Sequence, residues 1–192
     1  MSARAHREER GDGEDGRSRA AGAAKSVTIG GEEYLLRRAG AEDAEQLHQL
    51  DMLCFPSGRA FTEGYFMLLF LYHRAFGWIL ERAGGERQGP ASAPPIVAFI
   101  LLTSQRQKCN VSTIDVHPDC RRRGLATRLF RLAEKEMEEK GVATCTLQVA
   151  VSNTAAIRLY HQLGFRKART MRGYYGGRED GYLMEKKLQE RQ

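Results

Sequence analysis

The chain has 192 residues, of which 42% are hydrophobic and 28% charged. That balance allows one ordinary domain with a sizeable core and excludes a chain unfolded throughout. With 30 basic and 24 acidic residues the net charge is +6, which suits an acidic ligand but does not choose one. The longest apolar stretch, Phe66 to Tyr72, is too short to span a membrane, and no signal-peptide core is visible, so a cytoplasmic protein without membrane attachment is expected. Cys54, Cys109, Cys120 and Cys145 form no C-x-x-C pair, so neither a metal site nor a disulfide framework is expected.

Residues 1–26 hold no large apolar residue after Met1 and are predicted to be a disordered tail, leaving residues 27–192 as one domain. Glu33 to Arg38 predicts a first strand. Ala44, Leu47, Leu50 and Leu53 recur at helical spacing within Ala41 to Cys54, until Phe55-Pro56-Ser57-Gly58 breaks the pattern. A second helix follows Thr62, a suitable N-cap, and runs to about His73. Gly77 to Arg82 predicts a strand, Gly84 to Pro95 a long hairpin loop, Ile96 to Ser104 a buried strand and Val111 to Val116 the next. Leu125, Leu129, Leu132, Ala133 and Met137 line one face of a helix from Gly124 to Lys140, stopped by Gly141. Thr144 to Val151 is a strand and Asn153 to Leu163 a helix ended by Gly164. Arg166 to Tyr174 and Gly181 to Lys187 close the chain as strands. The order defines an α/β domain with a mixed sheet.

The run Val116-His117-Pro118-Asp119-Cys120-Arg121-Arg122-Arg123-Gly124-Leu125-Ala126-Thr127 joins a strand to a helix. The first amides of a helix lack internal partners and sit at the positive end of its dipole. Gly124 permits close approach of a bulky anion, and the arginines add fixed charge. This turn is therefore a site for a phosphorylated cofactor. A dinucleotide fold of the Rossmann type is excluded, because no G-x-G-x-x-G follows the first strand. The basic residues cluster at one turn without an RNA-binding signature, so no direct nucleic-acid binding is expected.

Three blocks carry a family resemblance: Arg121-Arg122-Arg123-Gly124-Leu125-Ala126, Ser152-Asn153-Thr154-Ala155-Ala156-Ile157-Arg158-Leu159-Tyr160-His161-Gln162-Leu163-Gly164-Phe165, and Gly173-Tyr174-Tyr175 through Glu179-Asp180 to Met184. With Cys54-Phe55-Pro56, they resemble the GNAT superfamily of acyl-CoA-dependent N-acetyltransferases, over roughly residues 32 to 188. Within it they look like the branch that acetylates protein N-termini, ribosomal-protein alanine acetyltransferases included. The resemblance implies one domain with a mixed, mostly antiparallel central sheet flanked by helices. It implies acetyl-CoA as co-substrate and the α-amine of a protein or peptide N-terminus as acceptor, a ribosomal protein being one candidate. The backbone of Ile114, Asp115 and Val116 would pair with pantetheine, and Arg121 to Thr127 would cradle the pyrophosphate. Asn153 would hold the pantetheine or place the thioester, and Tyr160 would protonate the leaving thiolate. Phe55, Pro56, Tyr174 and Tyr175 would shape the acceptor groove.

Two positions depart from the pattern. Relatives often carry a base where this chain has Gln148, and others where it has Asn110; neither amide takes up a proton near neutrality. Gln148 is kept as a catalytic-site residue that could order a water. Asp115 and His117 are the candidate replacement bases, although strict strand alternation would put both on the face opposite Asn110, Ile114 and Val116. Two alternatives follow: an acetyltransferase for a small amine, or a CoA-binding module weakened in catalysis.

Overall fold

The computed structural model describes residues 24–55, 59–73, 75–83 and 96–188. Among the described residues, eight strands form one sheet in the order β1-β2-β3-β4-β5-β6-β8-β7. They are β1 (Lys25–Ile29), β2 (Glu32–Arg38), β3 (Phe76–Arg82), β4 (Ile96–Gln105), β5 (Lys108–Val116), β6 (Thr144–Ala150), β7 (Arg166–Tyr175) and β8 (Glu179–Lys187). Only β5 and β6 pair in parallel; every other neighbouring pair is antiparallel. The helices are α1 (Ala44–Cys54), α2 (Glu63–Leu71), α3 (Leu125–Glu139) and α4 (Thr154–Gln162).

The expected mixed, mostly antiparallel α/β sheet is thus present, with one strand more than the sequence pattern predicts. That strand is β1, which pairs residue by residue with β2 through the Gly30-Gly31 turn. Lys25 and Ser26, read as the end of the tail, lie in it. Residues 1–23 and the Gly84–Pro95 loop lie outside the described residues.

β4 is buried from Ile96 to Leu102 because both of its faces are covered. Ile100 and Leu102 pack with Leu125, Leu129, Phe130, Ala133 and Met137 of α3. Phe99 and Leu101 pack with Leu47 and Leu50 of α1 and Phe66 and Leu69 of α2. Burying such side chains fixes each helix to its face at about 1.5–3 kcal/mol per residue. At the junction of β2 with α1, Arg37 donates to Asp43 from both terminal guanidinium nitrogens (2.7 and 2.8 Å) and from Nε to Glu81 of β3 at 2.7 Å.

The helix ends follow from their residues. Thr62 caps α2 by accepting the Tyr65 N–H at 3.2 Å, and Asn153 caps α4 by accepting the Ala156 N–H at 3.2 Å. Gly141 and Gly164 end α3 and α4 with φ of +67° and +93°, a backbone that other residues adopt only with strain. The buried stripe of α1 differs from the expected one. Leu53 is exposed, and Asp51, one turn beyond Leu47, is fully buried in its place.

Candidate active site

β5 and β6 run together only from Lys108/Thr144 to Val111/Leu147. Beyond that point each follows its other neighbour. β5 stays with β4, with Ile114 opposite Ile100 and Val116 opposite Ala98. β6 stays with β8, with Gln148 opposite Leu183 and Ala150 opposite Gly181. A bulge starts the divergence: Val111 faces Leu102 and Thr113 faces Leu101, so Ser112 is an extra residue in β5. A bulge bends its strand and increases local twist. The strands open into a cleft of about 90 Å³ lined by Ser112, Thr113, Ile114, Gln148, Val149, Asn153, Tyr160 and Tyr175, with Phe55, Arg59 and Phe61 at its α1–α2 side.

The backbone edge of β5 faces this opening. His117 donates its N–H to the Val97 carbonyl at 2.8 Å. Antiparallel alternation then turns the backbone groups of Asp115 toward β4 and those of Ile114 and Val116 toward the gap. Of the three backbone positions expected to meet a cofactor, Asp115 is therefore corrected: its N–H and C=O belong to the β4 ladder. The Val116 carbonyl accepts from Arg121 Nε at 3.1 Å and from Cys54 Sγ at 3.3 Å.

The arginine turn leads from this edge into α3. Arg122 and Gly124 take φ of +66° and +83°, and such left-handed residues curl consecutive amides into a concave surface. The first-turn amides of α3, from Leu125 onward, add to it. A side chain built at Gly124 would meet nothing within 4 Å, so the space before the helix is open. Arg121 and Arg123 reach back into the fold. Arg123 pairs with Glu32 of β2 and donates to the Asp119 carbonyl at 3.0 Å, fixing the turn's shape.

Tyr160 comes from α4 and packs edge-on against Phe165 at 5.9 Å. Burial, with the Asp115 carboxyl and Tyr175 adding, holds its phenol well above the ordinary value, so it stays protonated. Asn153, the N-cap of the same helix, lines the same cleft. Gln148 Nε2 donates to Asn110 Oδ1 at 3.2 Å, and the Thr146 hydroxyl shares that acceptor at 3.3 Å. Tyr175 lines the cleft, whereas Tyr174 is half exposed and stands outside its lining, against Tyr175 at 5.0 Å. Gly181 admits both rings: a Cβ there would come within 3.2 Å of Tyr175 and 3.3 Å of Tyr174. Phe55 lines the cleft, and Pro56 lies outside the described residues. Across the mouth, Arg59 pairs with Glu179 at 3.1 Å, and Glu179 also accepts from the Ser152 hydroxyl.

The bulge overturns the alternation argument for Asp115. Ile114 and Val116 pack into the same core as Cys109 and Val111. Asp115 therefore shares the other face with Asn110, beneath α1, where it meets Asp51. The sequence pattern missed Asp51, Thr113 and Arg59. Only Asp51 carried a signal, an acid at helical spacing from Leu47. Burial next to Asp51 keeps Asp115 protonated well above the usual carboxylate range.

The profile of the acetyltransferase (GNAT) family matches residues 44–165, well over half of the chain, and the chain belongs to that family. It is 31% identical over 158 residues to an N-alpha-acetyltransferase of Sulfurisphaera tokodaii, covering 80% of this chain and 93% of the relative. It is 40% identical over 92 residues to the [ribosomal protein bS18]-alanine N-acetyltransferase of Escherichia coli K12, covering 46% and 62%. The crystal structure of the ribosomal-protein-S18-alanine N-acetyltransferase from Escherichia coli superposes with a TM-score of 0.69 at 26% identity, covering 83% of this chain and 96% of that one.

The Asp115 carboxyl gives a signed pH effect. The folded chain keeps a proton that the unfolded chain releases above about pH 4, so folding loses stability as pH rises from there. Asp115→Asn removes this penalty. Chemical denaturation should find the variant more stable than wild type at neutral pH, with the gap closing toward pH 4. A gap independent of pH contradicts the assignment.

Proposed function

We propose that the chain transfers an acetyl group from acetyl-CoA to the α-amine of a protein or peptide N-terminus, with both substrates bound together. One observation carries this reading: the cleft where β5 leaves β6 passes through the sheet. On the α3–α4 side Asn153 and Tyr160 line it, and the exposed backbone edge of Ile114 and Val116 leads from it toward the Arg121–Gly124 turn. On the α1–α2 side it meets Phe55, Arg59, Phe61 and Tyr175. Two substrates can thus reach one point from opposite faces. The open space over Gly124 and the curled amides fit a pyrophosphate, and the freed strand edge fits the amide-bearing pantetheine. The N-alpha-acetyltransferase relative, similar over most of the chain, supports the α-amine. A ribosomal-protein N-terminus is one acceptor class, as for the Escherichia coli relative. The reading takes residues 27–192 as the catalytic unit, working in the cytoplasm.

Acetyl-CoA supplies the activated acetyl thioester. The chain's residues do the rest. The N–H groups of Ile114 and Val116 stabilise charge developing on the carbonyl oxygen. Asn153 orients the substrate, and Tyr160 carries the proton for the sulfur. Its high pKa makes outright transfer to a thiolate uphill, so donation is coupled to proton release from the amine. Holding amine and thioester together supplies much of the rate.

An α-amine also suits the missing base. With a pKa near 7.7–8.0, roughly a tenth of it is neutral at pH 7, against about 0.04% for lysine. One observation favours a second reading, a CoA-binding module without turnover: Gln148 and Asn110 satisfy each other and neither takes a proton.

Matched peptides with free and blocked N-termini separate these. Mass spectrometry should find acetylation of the free α-amine only. Modification of internal lysine alone overturns the acceptor assignment, and acetyl-CoA binding without turnover on a library varied at the first two positions favours the module. Tyr160→Phe should lower kcat about 100-fold with little change in acetyl-CoA affinity. An unchanged kcat removes Tyr160 from the proton-donating role.

A further inference from the structure

The amine must lose a proton, and Gln148 and Asn110 cannot accept it. On the same sheet face lie two buried carboxyls with no part in the chemistry above. Asp51 and Asp115 are 0% and 1% exposed. One oxygen of each is accounted for. Asp51 Oδ2 accepts the Phe61 N–H at 2.6 Å, and Asp115 Oδ1 accepts the Thr113 hydroxyl at 3.0 Å. The other two, Asp51 Oδ1 and Asp115 Oδ2, are buried without a partner among the described residues. Two neighbouring buried carboxylates do not both ionise, and one proton held between these two oxygens satisfies both. Thr113 is the member of the chain that lines the cleft.

We propose that Thr113, Asp115 and Asp51 form a proton relay that draws the amine proton out of the cleft, in place of the missing side-chain base. This rests on the acyl-transfer reading above. Thr113 is the catalytic residue of the set, meeting the amine directly or through one water. Asp115 and Asp51 are positioning residues that act through it.

The proton count closes. As the N–C bond forms and the C–S bond breaks, the amine proton passes to Thr113 Oγ. The Thr113 hydroxyl proton passes to Asp115 Oδ1, and the Asp115 Oδ2 proton passes to Asp51 Oδ1. The pair goes from one proton to two and loses its negative charge, which burial favours. Tyr160 gives its proton to sulfur, and return of one proton from the pair through water resets the site. The other groups facing the pair are His48 and Cys54 of α1, Arg121 from the turn after β5, and Tyr160 of α4. His48 is engaged with the Phe61 carbonyl at 2.7 Å and Arg121 with the Val116 carbonyl at 3.1 Å.

Asp115→Asn is the informative variant. Its amide can donate to Asp51 Oδ1 and accept from Thr113, so both contacts survive, but it cannot pass a proton on. Steady-state kinetics should show kcat down about 100-fold, KM for peptide and acetyl-CoA nearly unchanged, and residual activity still climbing with pH where wild type has levelled off. Thr113→Val should reproduce the loss, and Thr113→Ser should restore activity. Independently of turnover, carbon NMR of the aspartate carboxyls should show one un-ionised group at neutral pH that disappears in Asp115→Asn. Wild-type kcat and pH profile in both Asp115→Asn and Thr113→Val overturn the relay. Absence of an un-ionised aspartate in the NMR spectrum overturns the shared proton. A wild-type chain that acetylates no N-terminal peptide overturns the acceptor reading instead, and the NMR result still decides the proton.

Discussion

The structure turns on the parting of β5 from β6. Two strands that begin as a parallel pair cannot stay paired when each is committed to a different antiparallel neighbour. The extra residue at Ser112 starts the divergence, and the β4 and β8 ladders complete it. The exposed edge of Ile114 and Val116, the cleft, and the meeting of residues from both sheet faces all follow from that geometry. A sheet paired throughout would keep Tyr160 and Thr113 on opposite sides of a closed wall.

The same bulge decides where charge goes. By shifting the side-chain phase of β5, it places Ile114 and Val116 in the core beneath α3 and α4, and Asp115 beneath α1. Positive potential gathers at the other end, where the Arg121–Gly124 turn opens α3. Two of its three arginines are spent on holding that turn, one to the Val116 carbonyl and one to Glu32. The anion site is therefore chiefly backbone, shaped by side chains behind it. At the cleft mouth the Arg59–Glu179 pair neutralises both charges, so the approach to the reaction is walled mainly by aromatic rings.

Much of this was legible in the sequence. The stripe of α3, the stops at Gly141 and Gly164, the Thr62 cap and the arginine turn are local signals, and local rules read them. What escaped was non-local. β1 has only Val27 and Ile29 as apolar residues and becomes a strand by pairing with β2. Strict alternation misplaced Asp115 because nothing near Ser112 announces a bulge. Asp51 sat among apolar neighbours at helical spacing, but its partner lies in β5, far along the chain. Leu53 read as core and is exposed, the stripe of α1 having rotated to bury Asp51.

The central claim is that the two substrates meet across the sheet through the β5–β6 opening. A crystal structure with CoA and an N-terminal peptide tests it most directly. The account predicts the pyrophosphate against the amides of Arg122 to Thr127, pantetheine along Ile114 and Val116, and the peptide α-nitrogen entering from the Phe55–Tyr175 side beside Thr113. A cofactor bound elsewhere, or both ligands entering from the same face, would contradict it.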